Sequence, residues 1–329
     1  MHPIVQKVEK YIQTNQLIKS GDTICLAVSG GADSVALLNI FLELKDKLSL
    51  KLLVCHFDHK QRKESGEDKK FVEDIAENRG VPFIFGSLEA KNKNNLSEEI
   101  LRNYRYKFFE KILNSDRGVS SIATAHNMND LAETLLMRLI RGSGTKGLSG
   151  ILPRRNFFIR PLLSLQRKEI EQYLLDIKVT YKTDQSNLDN QFLRNKIRNL
   201  ILPDLQKINP KIIQSLAKTA DSLTKDYNLI NSILECSIPR LIDQQTDQKI
   251  VISRKKFIAK SKNLKTHLLL SLFSKISPAK DISSIHLINS IKLIEKGEGC
   301  KTLPLPHSLR LTLKNDKIYL LNENINKEK

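Results

Sequence analysis

The sequence predicts an α/β protein: a doubly wound, mostly parallel sheet, followed by a mainly helical domain and a small C-terminal β-containing module. Three observations carry this. Apolar strand-like runs at 23–28, 50–56, 82–86 and 120–124 alternate with helical patterns at 35–47, 66–79, 97–114 and 129–140, the order of successive βα units. That alternation stops after Pro153, where longer helical patterns take over. Near the end, Leu309–Leu313 and Ile318–Leu321 flank the polar stretch Lys314-Asn315-Asp316-Lys317, as in a hairpin.

The elements follow in order. Residues 4–17 carry an amphipathic helical pattern ahead of the first strand. Gly80-Val81-Pro82 stops the helix over 66–79, and Ser97 caps the helix over 97–114, with Glu99 in its first turn. In parallel sheets the ligand crevice lies beyond the carboxyl ends of the strands, which puts Ser29, His56 and Thr124-Ala125-His126 along one edge. Beyond Pro153, Phe157–Arg160 reads as a short strand and 166–175 as a helix. Residues 191–237 read as helical with breaks near Pro203 and Pro210, and 250–295 as helical or mixed. The domain boundary is expected within 205–215, giving a first domain over 1–210 and a second over 211–329.

A chain of 329 residues can enclose two ordinary cores. Its formal charge of +18 favours a polyanionic partner if the cations cluster, and reflects only a lysine-rich composition if they do not. No apolar run is long enough to span a bilayer, and Met1-His2-Pro3-Ile4-Val5-Gln6-Lys7 lacks a signal-peptide layout, so a cytoplasmic protein is expected. Cys25, Cys55, Cys236 and Cys300 form no C-x-x-C pair, which gives zinc or iron–sulfur ligation little support. Cys25 and Cys55 lie in apolar runs and are expected to be buried thiols.

The most telling stretch is Ser29-Gly30-Gly31-Ala32-Asp33-Ser34, between the strand ending at Val28 and the helical pattern from Val35. A strand turning on glycines into a helix N-terminus presents N–H groups and the positive end of a dipole to an anion. Asp33 beside a phosphate calls for a divalent cation between the two. An ordinary strand–helix turn is the plain alternative. No G-K-[ST] follows, so this is not a Walker loop. Gly142–Gly147 formally matches G-x-G-x-x-G but follows a helix, and is expected to be a flexible basic loop.

His56-Phe57-Asp58-His59 at the end of the second strand could bind metal, contact a base and position water, or simply form a polar loop. In Thr124–Thr134, Asp130 and Glu133 share one helix face in the first turn. They could hold Mg²⁺, bind a substrate ammonium or accept its proton; capping would account for Asn129 or Asp130 but not for His126 as well. Arg102 and Arg105 stand about one turn apart on their helix, as phosphate ligands or as part of a solvated face.

Two intervals lack acidic residues. One holds Arg138, Arg141, Lys146, Arg154, Arg155, Arg160, Arg167 and Lys168; the other Lys249, Arg254, Lys255, Lys256, Lys260, Lys262, Lys265 and Lys275. Both are read as contacts to a phosphate backbone, against the alternative of solvated basic faces. Asp184-Gln185-Ser186-Asn187 and Phe192–Arg198 are rich in side-chain donors, and their residues alone assign them no role.

Taken together, these segments resemble the tRNA(Ile)-lysidine synthase family of N-type ATP pyrophosphatases, the PP-loop proteins of HUP-like fold. The resemblance is carried by Ser29–Ser34, His56–His59, Arg102 with Arg105-Tyr106, and Thr124-Ala125-His126 through Asp130 and Glu133-Thr134. It continues in Arg141–Gly144 with Gly147-Leu148, Arg160-Pro161-Leu162, Asp184 with Ser186-Asn187, and Arg194-Asn195 with Arg198. Asn127 departs from the pattern, since many members have a second histidine there.

The resemblance implies that ATP adenylates O2 of cytidine 34 in the CAU anticodon of tRNA(Ile), releasing pyrophosphate. The ε-amine of L-lysine then attacks C2 and expels AMP, giving lysidine and switching the tRNA from methionine to isoleucine identity. It assigns Ser29, Gly30, Gly31, Ala32, Asp33, Ser34, His56, Arg105 and His126 to ATP, and Asp33 also to Mg²⁺. Asp33, Asp130 and Glu133 become catalytic, and Arg102, Arg141, Arg160, Arg194, Asn195 and Arg198 meet tRNA or adenylate. A homodimer is also implied. The nearest competing reading is a tRNA 2-thiolation enzyme of the same superfamily, which would need paired cysteines. A small-molecule ATP pyrophosphatase would not need the basic intervals, and a non-catalytic RNA-binding protein would not need Asp33, Asp130 and Glu133.

Overall fold

The structure is a computed structural model and describes residues 1–58, 65–88, 98–182, 192–277 and 282–323. His59, the Ser97 cap and Asp184–Asn187 lie outside the described residues. The chain divides into two compact units, Met1–Lys225 and Asp226–Lys329.

In the first unit, α1 (Pro3–Thr14) precedes β1 (Thr23–Ala27), α2 (Ala32–Leu44), β2 (Lys51–Asp58), α3 (Ser65–Asn78), β3 (Phe83–Ser87), α4 (Glu98–Leu113), β4 (Ser121–Ala123) and α5 (Met128–Ile140). Then come α6 (Thr145–Leu148), β5 (Arg154–Arg155), β6 (Phe158–Ile159) and α7 (Arg167–Asp176). The sheet order is β3-β2-β1-β4-β6-β5, parallel throughout except for the β5–β6 pair.

Alternation along β1 shows why both faces are covered. Ile24 and Leu26 pack into the core built with α1, α2 and α7, whereas Cys25 points to the opposite face with Phe109 and Ile112 of α4. Strand order reverses about β1, with β2 on one side and β4 on the other, so the carboxyl ends of these three strands frame one crevice.

Cys25 and Cys55 are distant in sequence but adjacent here, because Ala27 registers with Cys55 across neighbouring strands. A hydrogen bond with Cys25, then burial, raises the Cys55 thiol well above its ordinary pKa, and both thiols are buried, as expected.

The expected break near Pro203 is absent. α8 (Leu193–Lys196) passes through a widened turn at Ile197–Ile201 directly into α9 (Leu202–Ile208), and the Leu202 N–H reaches back to the Ile197 carbonyl. Proline lacks an N–H and crowds the preceding turn, so a single wide turn carries the chain past it. At Pro210 the helix does break, and α10 (Ile212–Leu241) begins afterwards.

The second unit contains more sheet than the sequence predicts. β7 (Ile242–Gln245), β8 (Lys249–Ser253), α11 (Arg254–Ile258), α12 (Lys262–Ile276), α13 (Ser284–Lys296), β9 (Lys301–Leu305), β10 (Leu309–Lys314) and β11 (Lys317–Asn322) form an antiparallel sheet, order β7-β8-β11-β10-β9, with its helices. The expected hairpin is present as β10–β11. Its two turn residues, Asn315 and Asp316, have φ of 50° and 57°, the left-handed pair that matches strand twist. Ile250, Ile252, Leu311, Leu313, Ile318 and Leu320 pack against Leu268, Leu272 and Phe273 of α12. Among the described residues no helix is long and apolar enough to cross a membrane.

Candidate active site

The loop after β1 is closed by its own side chains. Gly30 has φ +91°, a left-handed conformation that disfavours a side chain, and a Cβ there would come within 3.4 Å of the Phe71 ring. Ser34 Oγ accepts from the Ser29 N–H at 3.1 Å and donates to the Gly31 carbonyl at 2.8 Å. Gly31 caps α2 without a side-chain partner, leaving the first turn open to an anion. On the outer side, Lys182 N–H donates to the Gly30 carbonyl at 3.0 Å.

Asp33 lies in the first turn of α2, and both of its oxygens are engaged. Asn127 Nδ2 donates to Oδ1 at 3.0 Å, and an Arg167 guanidinium nitrogen donates to Oδ2. Burial raises the Asp33 pKa to about 6; Arg167 opposes the shift, Asp130 adds to it, and the Asn127 hydrogen bond also opposes it. Asn127 is the N-cap of α5. Its Oδ1 accepts from the N–H groups of Asn129 (2.9 Å) and Asp130 (3.1 Å), while Asp130 Oδ2 accepts from the Asn127 N–H at 3.0 Å. The cap is therefore Asn127, not Asn129 or Asp130. The Asn-x-x-Asp spacing of a capping box was the signal available for it.

One turn along α5, Glu133 is 1% exposed and shares two guanidinium groups with Asp130. Arg194 Nε donates to Glu133 Oε2 at 2.8 Å and its NH2 to Asp130 Oδ1 at 2.7 Å. Arg198 Nε donates to Glu133 Oε1 at 2.6 Å. The sequence groups the two acids correctly on one face, but gives no sign that α8 and the turn after it bring two arginines onto them.

His56 is buried, with Nδ1 2.8 Å from the Val28 carbonyl and its ring stacked on Phe85, at the end of the strand beside the loop. His126 Nδ1 lies 3.0 Å from Thr124 Oγ1. Burial lowers the His126 pKa to about 4, Asp130 opposes this, and Arg160, Arg194 and Arg105 add to it, so the imidazole is neutral at neutral pH. Arg160 is buried, donates to the Leu152 carbonyl at 2.8 Å, and keeps a buried Nε without a hydrogen-bond partner. Arg102 lies over the Tyr106 ring, 5.3 Å from its centroid; Arg105 and Arg141 are exposed, and Asn195 is half-buried on α8. Among the described residues no group of three or more His, Cys, Asp and Glu is arranged to hold a metal ion.

Several cations read as backbone contacts are internal fasteners instead. Arg138 donates to the Gly147 and Gly150 carbonyls, and so pins as the short helix α6 the segment expected to be a flexible loop. Arg154 donates to the Leu17 carbonyl and Arg167 to Asp33 and Glu171. In the second unit Arg254 caps α13 through the Ile294 and Gly297 carbonyls, and buried Lys265 pairs with Glu295 at 2.7 Å. An orphan carbonyl or a carboxylate at short range outcompetes solvent for these groups. Arg141, Lys146, Arg155, Lys168, Lys255, Lys256, Lys262 and Lys275 are exposed.

A family model described as the PP-loop domain matches residues 2–205. The chain is 37% identical over 301 residues to the tRNA(Ile)-lysidine synthase of Clostridium perfringens strain 13, covering 89% of this chain and 64% of that one. It is 32% identical over 330 residues to the tRNA(Ile)-lysidine synthase of Clostridioides difficile strain 630, covering 98% of this chain and 71% of that one. It thus spans 64% of the Clostridium perfringens relative's length. Among solved structures, a U34-tRNA thiolase from Methanococcus maripaludis superposes with TM-score 0.57 at 17% identity over 68% of this chain and 78% of that one, a likeness of fold. The chain belongs to the PP-loop domain family and, within it, to the tRNA(Ile)-lysidine synthase family.

Proposed function

We propose that this protein ligates L-lysine to C2 of cytidine 34 in the CAU anticodon of tRNA(Ile), with ATP as the activating substrate, in the cytoplasm. One observation carries the reading: the Asn127 side chain ties Asp33 of the anion loop to the capped helix that bears Asp130 and Glu133. This contact supports reading loop and acids as one site.

In the first step the cytidine O2 attacks the α-phosphorus of ATP, the α–β phosphoanhydride bond breaks, and pyrophosphate leaves. The N–H groups at the start of α2, which no side chain caps, take the growing negative charge of the leaving group, while those of Ser29 and Ser34 are used within the loop, on Ser34 Oγ and the Gly31 carbonyl. His56 shapes the crevice wall and buttresses Val28. Neutral His126 offers its remaining ring nitrogen to the nucleotide, and Arg105 approaches its phosphates.

Asp33, whose two oxygens are engaged here by Asn127 and Arg167, would hold Mg²⁺ through the oxygen that Arg167 releases. This ion commonly takes one or two carboxylates plus substrate phosphates, and Asp33 supplies a carboxylate at the mouth of the loop. When bound, it would neutralise phosphate charge.

In the second step the lysine amine attacks C2, loses a proton, and the C2–O bond breaks to release AMP. Asp130 and Glu133 hold the lysine ammonium, and one of them accepts the proton that the amine loses. Their present partners, Arg194 and Arg198, turn with Asn195 toward the adenylate or RNA. Arg102, Arg141 and Arg160 meet the anticodon arm. Residues 1–210 do the chemistry, and 211–329, with exposed Lys255, Lys256, Lys262 and Lys275, bind the tRNA body. The thiolation alternative is less well supported, because Cys25 and Cys55 are buried and the four cysteines form no C-x-x-C pair.

The test is incubation of the full chain with ATP, labelled lysine and tRNA carrying a CAU anticodon. Label entering the tRNA only when position 34 is cytidine supports the reading. No label, or label independent of that base, defeats it.

A further inference from the structure

Arg167 has no place in the chemistry above, yet it occupies the most sensitive point of the loop. It is the first residue of α7, and its backbone N–H is fixed to Asn129 Oδ1 at 3.0 Å. From that anchor its guanidinium spans two carboxylates: Nε donates to Glu171 Oε1 at 2.7 Å, and NH1 to Asp33 Oδ2. The position is electrostatically unfavourable for a cation, because the N-terminal ends of both α2 and α7 repel positive charge. The two carboxylates hold it there. It also lies beside the start of α2, which no side chain caps and where a polyanion brings demand for a cation.

We propose that Arg167 is a positioning residue for the nucleotide step: its guanidinium stands in for the divalent cation on Asp33 and is displaced when Mg²⁺ arrives with ATP. The exchange needs only a side-chain swing. The Arg167 backbone is held by Asn129 and its Nε by Glu171, and the side chain is 39% exposed against 22% for Asp33. Before the exchange, Asn127 and Arg167 together aim the Asp33 carboxylate at the crevice and keep it from binding a stray cation. After it, the freed guanidinium stays tethered to Glu171 beside the phosphates. The inference rests on the reading of this loop as the nucleotide site, and it concerns only the cation requirement of binding, not lysine or tRNA.

The experiment titrates Mg²⁺ against binding of a fluorescent ATP analogue, mant-ATP, to the full wild-type chain and to Arg167→Ala and Arg167→Lys, with circular dichroism confirming the fold of each. Removing a competing, partly exposed ion pair should lower the half-saturating Mg²⁺ on the order of fivefold in Arg167→Ala. Arg167→Lys keeps the charge but cannot span both carboxylates, and should fall between Arg167→Ala and wild type. If Arg167→Ala does not fold, the lysine variant alone decides, by a lower half-saturation or none. Unchanged or higher half-saturation in a folded variant overturns the inference and leaves the loop assignment standing. Loss of mant-ATP binding in Arg167→Ala even without Mg²⁺ would make Arg167 a direct phosphate ligand, and also overturns it. Failure of the wild type to bind the analogue overturns both.

Discussion

Arg198 grips Glu133 with two parallel hydrogen bonds, Nε to Oε1 at 2.6 Å and NH2 to Oε2 at 3.0 Å. This fork is the strongest geometry available to the pair. It fixes a 1% exposed carboxylate one turn from Asp130, with Arg194 bridging the two acids.

Replacing Glu133 by Gln removes the charge but not the volume, and leaves two guanidinium groups facing Asp130 alone. Breaking a fully buried pair costs about 3–5 kcal/mol. Arg194 and Arg198 are each more than a third exposed, so screening reduces the expected loss to about 2 kcal/mol, read by urea denaturation. Lysine transfer should fall far more than nucleotide binding. If Asp130→Asn and Glu133→Gln both transfer lysine at the wild-type rate, the two acids have no catalytic part.

Asn127→Ala removes a helix cap and the amide that holds Asp33. Loss of such a cap costs about 1 kcal/mol, visible as a drop of a few degrees in Tm. Asn127→Asp preserves a capping oxygen but places a second carboxylate against Asp33. It should therefore keep most of the stability and lose nucleotide affinity. Equal effects of the two variants on affinity would show that a second charge beside Asp33 is unimportant, and unchanged affinity in both that the Asp33 hydrogen bond is.

These interactions mark the border of what the sequence discloses. The strand, the glycine turn and the helix through Asp33 are local, written in neighbouring residues, and so are the Asp130–Glu133 face and the Asn315-Asp316 turn. Arg167 meets Asp33 across 134 positions, and Arg194 meets Glu133 across 61. No periodicity encodes which carboxylate a guanidinium will find. In sequence such an arginine looks the same as one awaiting a phosphate, which is why Arg138, Arg154, Arg167 and Arg254 group with the RNA-binding cations until the fold is known. β7 is hidden for a different reason: Ile242-Asp243-Gln244-Gln245 has little apolar alternation and is held by pairing with β8.

His126 gives a pH signature. Its folded pKa of about 4 lies below the ordinary 6.5, so between those values the unfolded chain binds more protons and stability rises with pH. Stability from this group is complete above about pH 6.5 and declines as pH falls toward 4. Tm measured from pH 4.5 to 7 should rise less steeply in His126→Gln than in wild type. Identical slopes would mean that His126 is not held neutral by burial.

The exposed cations should make tRNA binding strongly salt-dependent. Changing Lys255, Lys256 and Lys262 together to Ala should reduce the slope of log affinity against log salt by up to about 3, roughly one for each phosphate that a lysine no longer neutralises. A slope unaltered by the triple change removes α11 and the start of α12 from the RNA surface.

The central claim is that the turn following Val28 spends a nucleotide to activate a base carbonyl. Its most direct measurement omits lysine altogether: wild-type protein is mixed with ATP labelled at the α-phosphate and tRNA carrying CAU. The account predicts transient label on cytidine 34, chased off as AMP when lysine is added, and none with Asp33→Ala. Lysine joining the tRNA with no such labelled intermediate, or full labelling by Asp33→Ala, would contradict it.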